Sequence, residues 1–356
     1  MKKTIAFILT LSLICILCSC GKDNFTPYEQ TEKTETSSAE SQAPQFVVNP
    51  LTGVADLAPG KENLRPVAVM INNISTAQKV QTGLNKADIV YETYVEGGIT
   101  RLLAVYKDIA SVGQIGTVRS ARYSYVDLAG GHDALYVHAG IDKEYCLPYA
   151  NRNSDHVDLL SGAPNSASFR EKNGLATEHT LYTTGEKISA AMGSMKRRTT
   201  VESANPWVSF NSADAPVTPA NTLADGAAVK TVTVPMSSSY TTQFLYDEST
   251  KEYLRTKKGT PYKDYKTGDA VSVKNVFVLF TRVTMFDDDY HVKEYLDSGT
   301  GYYISNGGYE EINWKKGDSS DSFQFTKADG SVLTANAGQS WVFIANQNIK
   351  NSVKFQ

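Results

Sequence analysis

The chain has 356 residues, 41% of them hydrophobic, with 35 Lys and Arg against 38 Asp and Glu and a formal net charge of −3. That balance argues against a nucleic-acid partner and against a polybasic lipid-binding surface. Of the four cysteines only Cys146 lies beyond the N-terminal segment, which excludes an intramolecular disulfide and leaves stability to the core.

The N-terminal segment carries the clearest address. Lys2-Lys3 precede an apolar run from Ile5 to Leu17, too short to span a bilayer as a mature helix. The run closes on Leu17-Cys18-Ser19-Cys20-Gly21, the pattern of a lipobox, in which a peptidase cuts before a cysteine that carries lipid. Residues 1–19 are therefore expected to be a lipoprotein signal peptide and Cys20 the lipidated residue. This places the protein outside the cytoplasm, anchored to the outer face of the cytoplasmic membrane. Loss of Lys2 and Lys3 with the leader takes the charge from −3 to about −5. Residues 20–48 are rich in Ser, Thr, Glu and Gln and cannot bury enough surface to offset their ordering entropy. They are expected to form a disordered tether of about 28 residues with an r.m.s. reach of roughly 30 Å.

Residues 49–205 are predicted to form an α/β domain. Pro66–Asn72 is a short apolar run of strand length, and Ile89–Val95 alternates as a strand. Gly97-Gly98 turns into a third strand at Ile99–Tyr106. Ile115–Val118 leads into Ser120–Gly130, predicted as a helix with Ser120 as N-cap and Gly130 as its stop. Leu135–Ala139 returns as a strand, completing a strand–helix–strand pattern, and a further helix is expected near Gly185–Ala191. A boundary is placed within Met195–Ala224, and residues 206–356 are predicted to be a mainly antiparallel β domain, making the chain α+β overall. Its strands are Val229–Pro235, a hairpin of Gln243–Asp247 with Glu252–Arg255, and the apolar Val276–Thr284. A hairpin turning at Asn306-Gly307, another at Asp329-Gly330, and a closing strand at Ser340–Ala345 follow.

The densest concentration of chemistry lies around Arg101, Arg119 and Arg122. Arg119 and Arg122 flank a predicted helix N-terminus, and Arg101 lies on an adjacent strand. Guanidiniums beside free N–H groups suit a phosphate, carboxylate or sulfated ligand. The other reading pairs them with Glu92, Glu96 or Asp127 as structural ion pairs. Glu92, Ser120, His138 and His179 are candidates to line the same cleft. His138 sits at a strand's carboxyl end, where α/β sheets place ligand groups, with Asp142 as a possible acid–base partner. His132, Asp142 and Cys146 lack a recognised metal spacing, and Cys146 lacks an activating neighbour. Asp287-Asp288-Asp289 reads as a solvated turn, lacking the rest of a calcium loop. No metal and no cofactor are expected.

These residues also carry a resemblance. NPLTG (Asn49–Gly53), ADIVYE with Asp88 and Glu92, EGGITR (Glu96–Arg101), IGTVRSAR (Ile115–Arg122) and YVHAG (Tyr136–Gly140) resemble the YerB-like lipoproteins of Gram-positive bacteria. The hairpins YDESTKEYLR and GYYISNGGYEEINWKK and the ending ADGSVLTANAGQSWVFI resemble the C-terminal domain of that family. The resemblance covers nearly all of residues 49–345; one departure is Thr117, where the family pattern has Pro. It implies a two-domain envelope lipoprotein tied to peptidoglycan-synthesis complexes, and supplies no catalytic residue. The expectation is a binding or scaffold protein of cell-envelope assembly, partnered by wall-synthesis proteins or an anionic envelope ligand. The alternatives are an enzyme acting on lipid-linked or wall-polymer phosphates, and a solute-binding lipoprotein.

Overall fold

A computed structural model describes residues 45–202, 206–286 and 290–356. The predicted leader, the predicted lipidation site Cys20, the predicted tether up to residue 44 and residues Asp287–Asp289 lie outside the described residues. The end of the predicted tether is ordered: Val47–Val48 pairs antiparallel with Ala55–Leu57. Among the described residues no helix is long and apolar enough to cross a membrane.

The central feature is one ten-stranded sheet built from both halves of the chain. Its strands, in chain order, are β1 Val67–Asn72, β2 Ile89–Tyr94, β3 Thr100–Tyr106, β4 Leu135–His138 and β5 His156–Asp158. The second half adds β6 Asn275–Thr281, β7 Ser298–Ser305, β8 Gly308–Lys315, β9 Gln324–Lys327 and β10 Ser340–Asn346. Their spatial order is β9-β8-β7-β6-β10-β2-β3-β1-β4-β5. The halves join where β10 runs parallel to β2, with Ser340 opposite Ile89 and Phe343 opposite Glu92. β1, β2, β4, β5, β6 and β10 all point the same way, so their carboxyl ends share one edge of the sheet.

Because side chains alternate along a strand, each strand feeds two cores. One face carries Val67, Val69, Leu102, Ala104, Val278 and Phe343 and packs against a second sheet and the helix Gly185–Ser194. That second sheet is antiparallel, with Thr231–Pro235, Thr241–Asp247 and Glu252–Lys257 at its centre. The other face carries Met70, Tyr91, Leu103, Tyr136, Phe277 and Val342, and is covered by α1 (Tyr123–Gly130), α2 (Cys146–Asn153), Trp207 and Phe323. Trp207 ties the inter-half segment to the first half through its indole N–H, which donates to Leu51 O at 3.0 Å.

Most hairpins fall where the turn residues put them. Asn306 and Gly307, at φ of 46° and 77°, join β7 to β8, and Asp247 stands opposite Glu252 in the predicted hairpin. The helix at 120–130 is shorter than predicted. It begins at Tyr123, with Arg122 as N-cap and no side-chain cap. Residues 118–121 are held extended instead, because Arg119 N–H donates to Met70 O, Ala139 N–H to Arg119 O, and Ala121 N–H to Gly140 O. Sheet-type bonds on both sides outcompete a helical turn, so Ser120 is not the cap. The expected strand–helix–strand crossover changes accordingly. Gln114–Gly116 pairs with Leu181–Thr184 in a separate three-stranded sheet rather than with β4.

Candidate functional site

The extended segment 118–121 lies along the ends of β1 and β4, at the carboxyl edge of the sheet. Open sheets with crossover helices commonly bind ligands at that edge. Arg101, Arg119 and Arg122 converge there, near enough that each acts on another's ionisation. Their circumstances differ. Arg101 is 7% exposed and donates through Nη1 to Ser120 O. Burial first, then the charge of Arg122, pushes its pKa down to about 10. Arg122 forms an ion pair with Glu96, Nε to Oε1 at 2.6 Å, and donates to Ala121 O at 2.7 Å. Burial disfavours ionised Glu96, but the hydrogen bond and charge of Arg122 prevail and hold its carboxyl below the usual range. The ion-pair reading is thus right for Arg122, with Glu96 as the partner.

Arg119 is different. Its main chain is fixed on both sides, yet its half-buried guanidinium has no hydrogen-bond or ion-pair partner among the described residues. Partial burial lowers its pKa, the field of Glu178 opposes this, and Arg122 adds to it. Ser120, with a half-exposed side chain, follows it along the edge. Its hydroxyl packs close against Gly140, whose φ of +86° suits a residue without a Cβ. His179 reaches the end of β1, where its Nδ1 accepts from Asn72 Nδ2 at 2.8 Å, and its Nε2 lies 4.0 Å from Glu178 Oε1.

Two of the expected cleft residues are not at this edge surface. Glu92 is fully buried within the face shared with the second half, and so is not a cleft residue. It accepts from Thr100, Thr242 and Trp341. The reason is periodic: Val90, Glu92 and Tyr94 share one face of β2. His138 is also fully buried. Its Nδ1 is 3.0 Å from Gly140 O and its Nε2 is 3.0 Å from His156 Nδ1. Burial drives its pKa down to about 4, against the pull of Asp158, so it is neutral near pH 7. Its carboxylate neighbour is Asp158, 4.0 Å from Nδ1, and not Asp142. Asp142 instead accepts from the N–H groups of Tyr145 and Cys146 at the start of α2. Cys146 is buried and its thiol is pushed up to about 12, which leaves no thiolate for nucleophilic chemistry. Among the described residues no group of three or more His, Cys, Asp or Glu side chains is placed to hold a metal ion.

Sequence reasoning missed Asn72, Asp158 and His156, which orient the site from loops and strand ends without any motif. It did find the NPLTG turn, and the structure supplies its reason. Asn49 accepts from Leu51 N–H through its side chain and donates through Nδ2 to Asp88 Oδ1 at 2.8 Å. That contact lines a cavity of about 630 Å³ at the opposite, amino edge of the sheet, far from the arginines in the fold.

Comparison with known proteins agrees with this architecture. Residues 51–198 match the family described as "Protein of unknown function (DUF3048) N-terminal domain", and residues 232–342 match its C-terminal domain. The chain is 30% identical over 299 residues to "Putative lipoprotein YerB" of Bacillus subtilis (strain 168), covering 83% of this chain and 85% of the relative. The crystal structure of the Bacillus subtilis YerB protein superposes with a TM-score of 0.73 at 27% identity, covering 87% of this chain and 99% of that one. Sequence and structure together place the chain in the YerB-like family of two-domain lipoproteins.

Proposed function

We propose that this protein is an extracytoplasmic binding or scaffold lipoprotein of cell-envelope assembly, which holds an anionic ligand or a partner's acidic segment at the carboxyl edge of its central sheet. The observation that carries the proposal is the guanidinium of Arg119. A half-buried cation with no hydrogen-bond or ion-pair partner among the described residues, on a backbone fixed by two strands, is preorganised for a charge-assisted hydrogen bond. Arg101 and Arg122 are committed to Ser120 and Glu96, so they shape the field around Arg119 and set the position of its strand. The membrane anchor keeps this edge within reach of lipid-linked and wall-borne anions.

The test is thermal stability of residues 44–356 against muropeptides, teichoic-acid fragments and a short-chain polyprenyl diphosphate. A true ligand at a hundred times its dissociation constant adds about 2.7 kcal/mol, a readable shift for a unit of this size. Arg119→Ala is expected to abolish that shift while leaving the unliganded melting temperature within a degree or two. Retention of the shift in Arg119→Ala would remove the site from this edge. Absence of any shift in well-folded protein would leave protein partners as the remaining form of the scaffold reading.

A further inference from the structure

The global charge conceals a local concentration of cations on the second half. The hairpin tip that follows the Glu252–Lys257 strand turns at Lys258 and Gly259, both with positive φ. It presents Lys257, Lys258 and Lys263 around a groove of about 540 Å³, with Lys79 of the first half on the opposite wall. All four lysines are exposed, and none has an ion-pair partner among the described residues. No carboxylate lines the groove. Four cations facing one opening, in a chain of net charge −3, make a strongly positive focus on an otherwise acidic protein.

The floor of the groove is built rather than incidental. Gln78 Oε1 accepts from both Lys257 Nζ at 3.0 Å and Tyr262 OH at 2.6 Å, which fixes one lysine and the ring together. Behind the ring lies Arg255, 1% exposed, its guanidinium carbon 4.1 Å from the Tyr262 ring centroid and 4.8 Å from that of Trp341. Its two terminal nitrogens donate to Gln81 and Asn73, but its Nε has no hydrogen-bond partner. Arg255 lines a smaller pocket of about 70 Å³, which adjoins the groove through Ser75, Gln78, Lys257 and Tyr262. The charge of Arg255 is met by buried Glu92, so Arg255 braces the Tyr262 ring from behind while the four lysines supply the uncompensated positive charge of the groove.

We propose that this groove is a second anion site, distinct from the Arg119 edge, that takes a phosphate ester with its phosphate among the lysines and its organic part against Tyr262 and Pro261. Lysine ammoniums are effective point-charge partners for phosphate, and four of them supply more charge than a single carboxylate would use. The apolar floor of Tyr262 and Pro261 gives the ester's carbon portion a place to lie. The same headgroup chemistry occurs on a soluble phosphate ester and on a phospholipid, and the tether brings the domain within range of either.

The test uses residues 44–356, a compact unit with its own core. It is titrated by calorimetry with glycerol phosphate and with inorganic pyrophosphate, and sedimented with phosphatidylglycerol or phosphatidylcholine vesicles. At least one phosphate probe is expected to bind saturably. Lys257→Gln with Lys263→Gln is expected to weaken it about tenfold or more, because it removes two of the four ammoniums around the phosphate. These two side chains are exposed, so the variant tests binding without challenging the fold, as Arg255→Met would. Binding to soluble probes identifies a free phosphate ester as the ligand; binding to phosphatidylglycerol vesicles alone identifies a lipid headgroup. The second site is refuted if no probe binds, or if the lysine variant binds as tightly as the parent. It is equally refuted if Arg119→Ala, and not the lysine variant, removes the binding, a result that would leave the carboxyl-edge site standing.

Discussion

Replacing Glu92 with alanine is expected to lower stability by ~3–5 kcal/mol, the cost of breaking a buried charged network by removing one member. The carboxylate is completely buried and accepts from Asn73, Thr100, Thr242 and the indole N–H of Trp341. Arg255, completely buried beside it, supplies the charge that partly offsets the desolvation. Burial raises the pKa of Glu92 and the field of Arg255 lowers it, with burial the larger influence. Alanine leaves four donors short of an acceptor and Arg255 without its counter-charge. Since Glu92 and Thr100 belong to the first half while Thr242, Arg255 and Trp341 belong to the second, the loss falls on the contact between halves. Urea denaturation followed by tryptophan fluorescence reads it directly. The double replacement Glu92→Leu with Arg255→Met is expected to recover much of the loss, because a well-packed apolar pair carries no desolvation cost. A cost below about 1 kcal/mol for Glu92→Ala would mean that the network contributes little and that hydrophobic packing alone joins the halves.

Glu92 and Arg255 also mark how far the sequence could be read. In IVYETYV, two-residue alternation already puts Glu92 on the same face as Val90 and Tyr94. In EYLRTK it puts Arg255 with Tyr253. Both charges were therefore legible as inward-facing, but their proximity was not, since it depends on two strands some 160 residues apart in sequence folding onto one face. The same limit explains the sheet. Individual strands and their Asn-Gly and Asp-Gly turns are local signals, and most appear within a residue or two of their predicted bounds. The pairing of β2 with β10 is a parallel contact between distant segments, with no turn to announce it. The misplaced helix start at Ser120 has a different cause. Ser-Ala-Arg before an amphipathic run reads as a cap, and only the carbonyls of Met70 and Gly140, brought in by tertiary structure, pull these residues straight. The arginine cluster was found because its three members lie within 22 residues of each other. Which of them is uncommitted depends on Ser120 O and Glu96 Oε1, which spacing alone does not reveal.

Raising the pH from about 5 to about 8 is expected to destabilise the protein by several kcal/mol, with Glu294 responsible for about 2–3 kcal/mol of it. Glu294 is completely buried where the Val283–Met285 and Val292–Glu294 hairpin meets α1. Its Oε1 accepts from Thr93 Oγ1 at 2.8 Å and its Oε2 from Ser124 Oγ. Burial outweighs these bonds and pushes its pKa up to about 7, and Asp88 at the opposite edge is likewise pushed up to about 7. A carboxyl whose pKa is raised by folding holds its proton in the native state through a range where the unfolded chain has lost it. Its contribution is therefore favourable at the acidic end, declines as pH rises from about 4 to about 7, and is fully lost above that. Asp133, held low by Arg198 despite burial, works in the opposite sense, but its stabilisation is lost only below its unfolded value near pH 4, outside the window. Glu294→Gln keeps the shape and can still bond both hydroxyls, so the variant is expected to match the parent near pH 5. It is expected to be more stable by about 2–3 kcal/mol near pH 8, in denaturant curves recorded at both values. Parallel curves for parent and variant would show that Glu294 is ionised throughout and that the hairpin is held on α1 by charge rather than by a neutral acid. The consequence reaches the carboxyl edge of the sheet, because Ser124 lies two residues beyond Arg122 in the first turn of α1. A hairpin that loosens as pH rises would free the end of the helix that anchors the Arg122–Glu96 pair. Affinity for the anion proposed at Arg119 is then expected to fall over the same pH range in the parent, and to remain constant in Glu294→Gln.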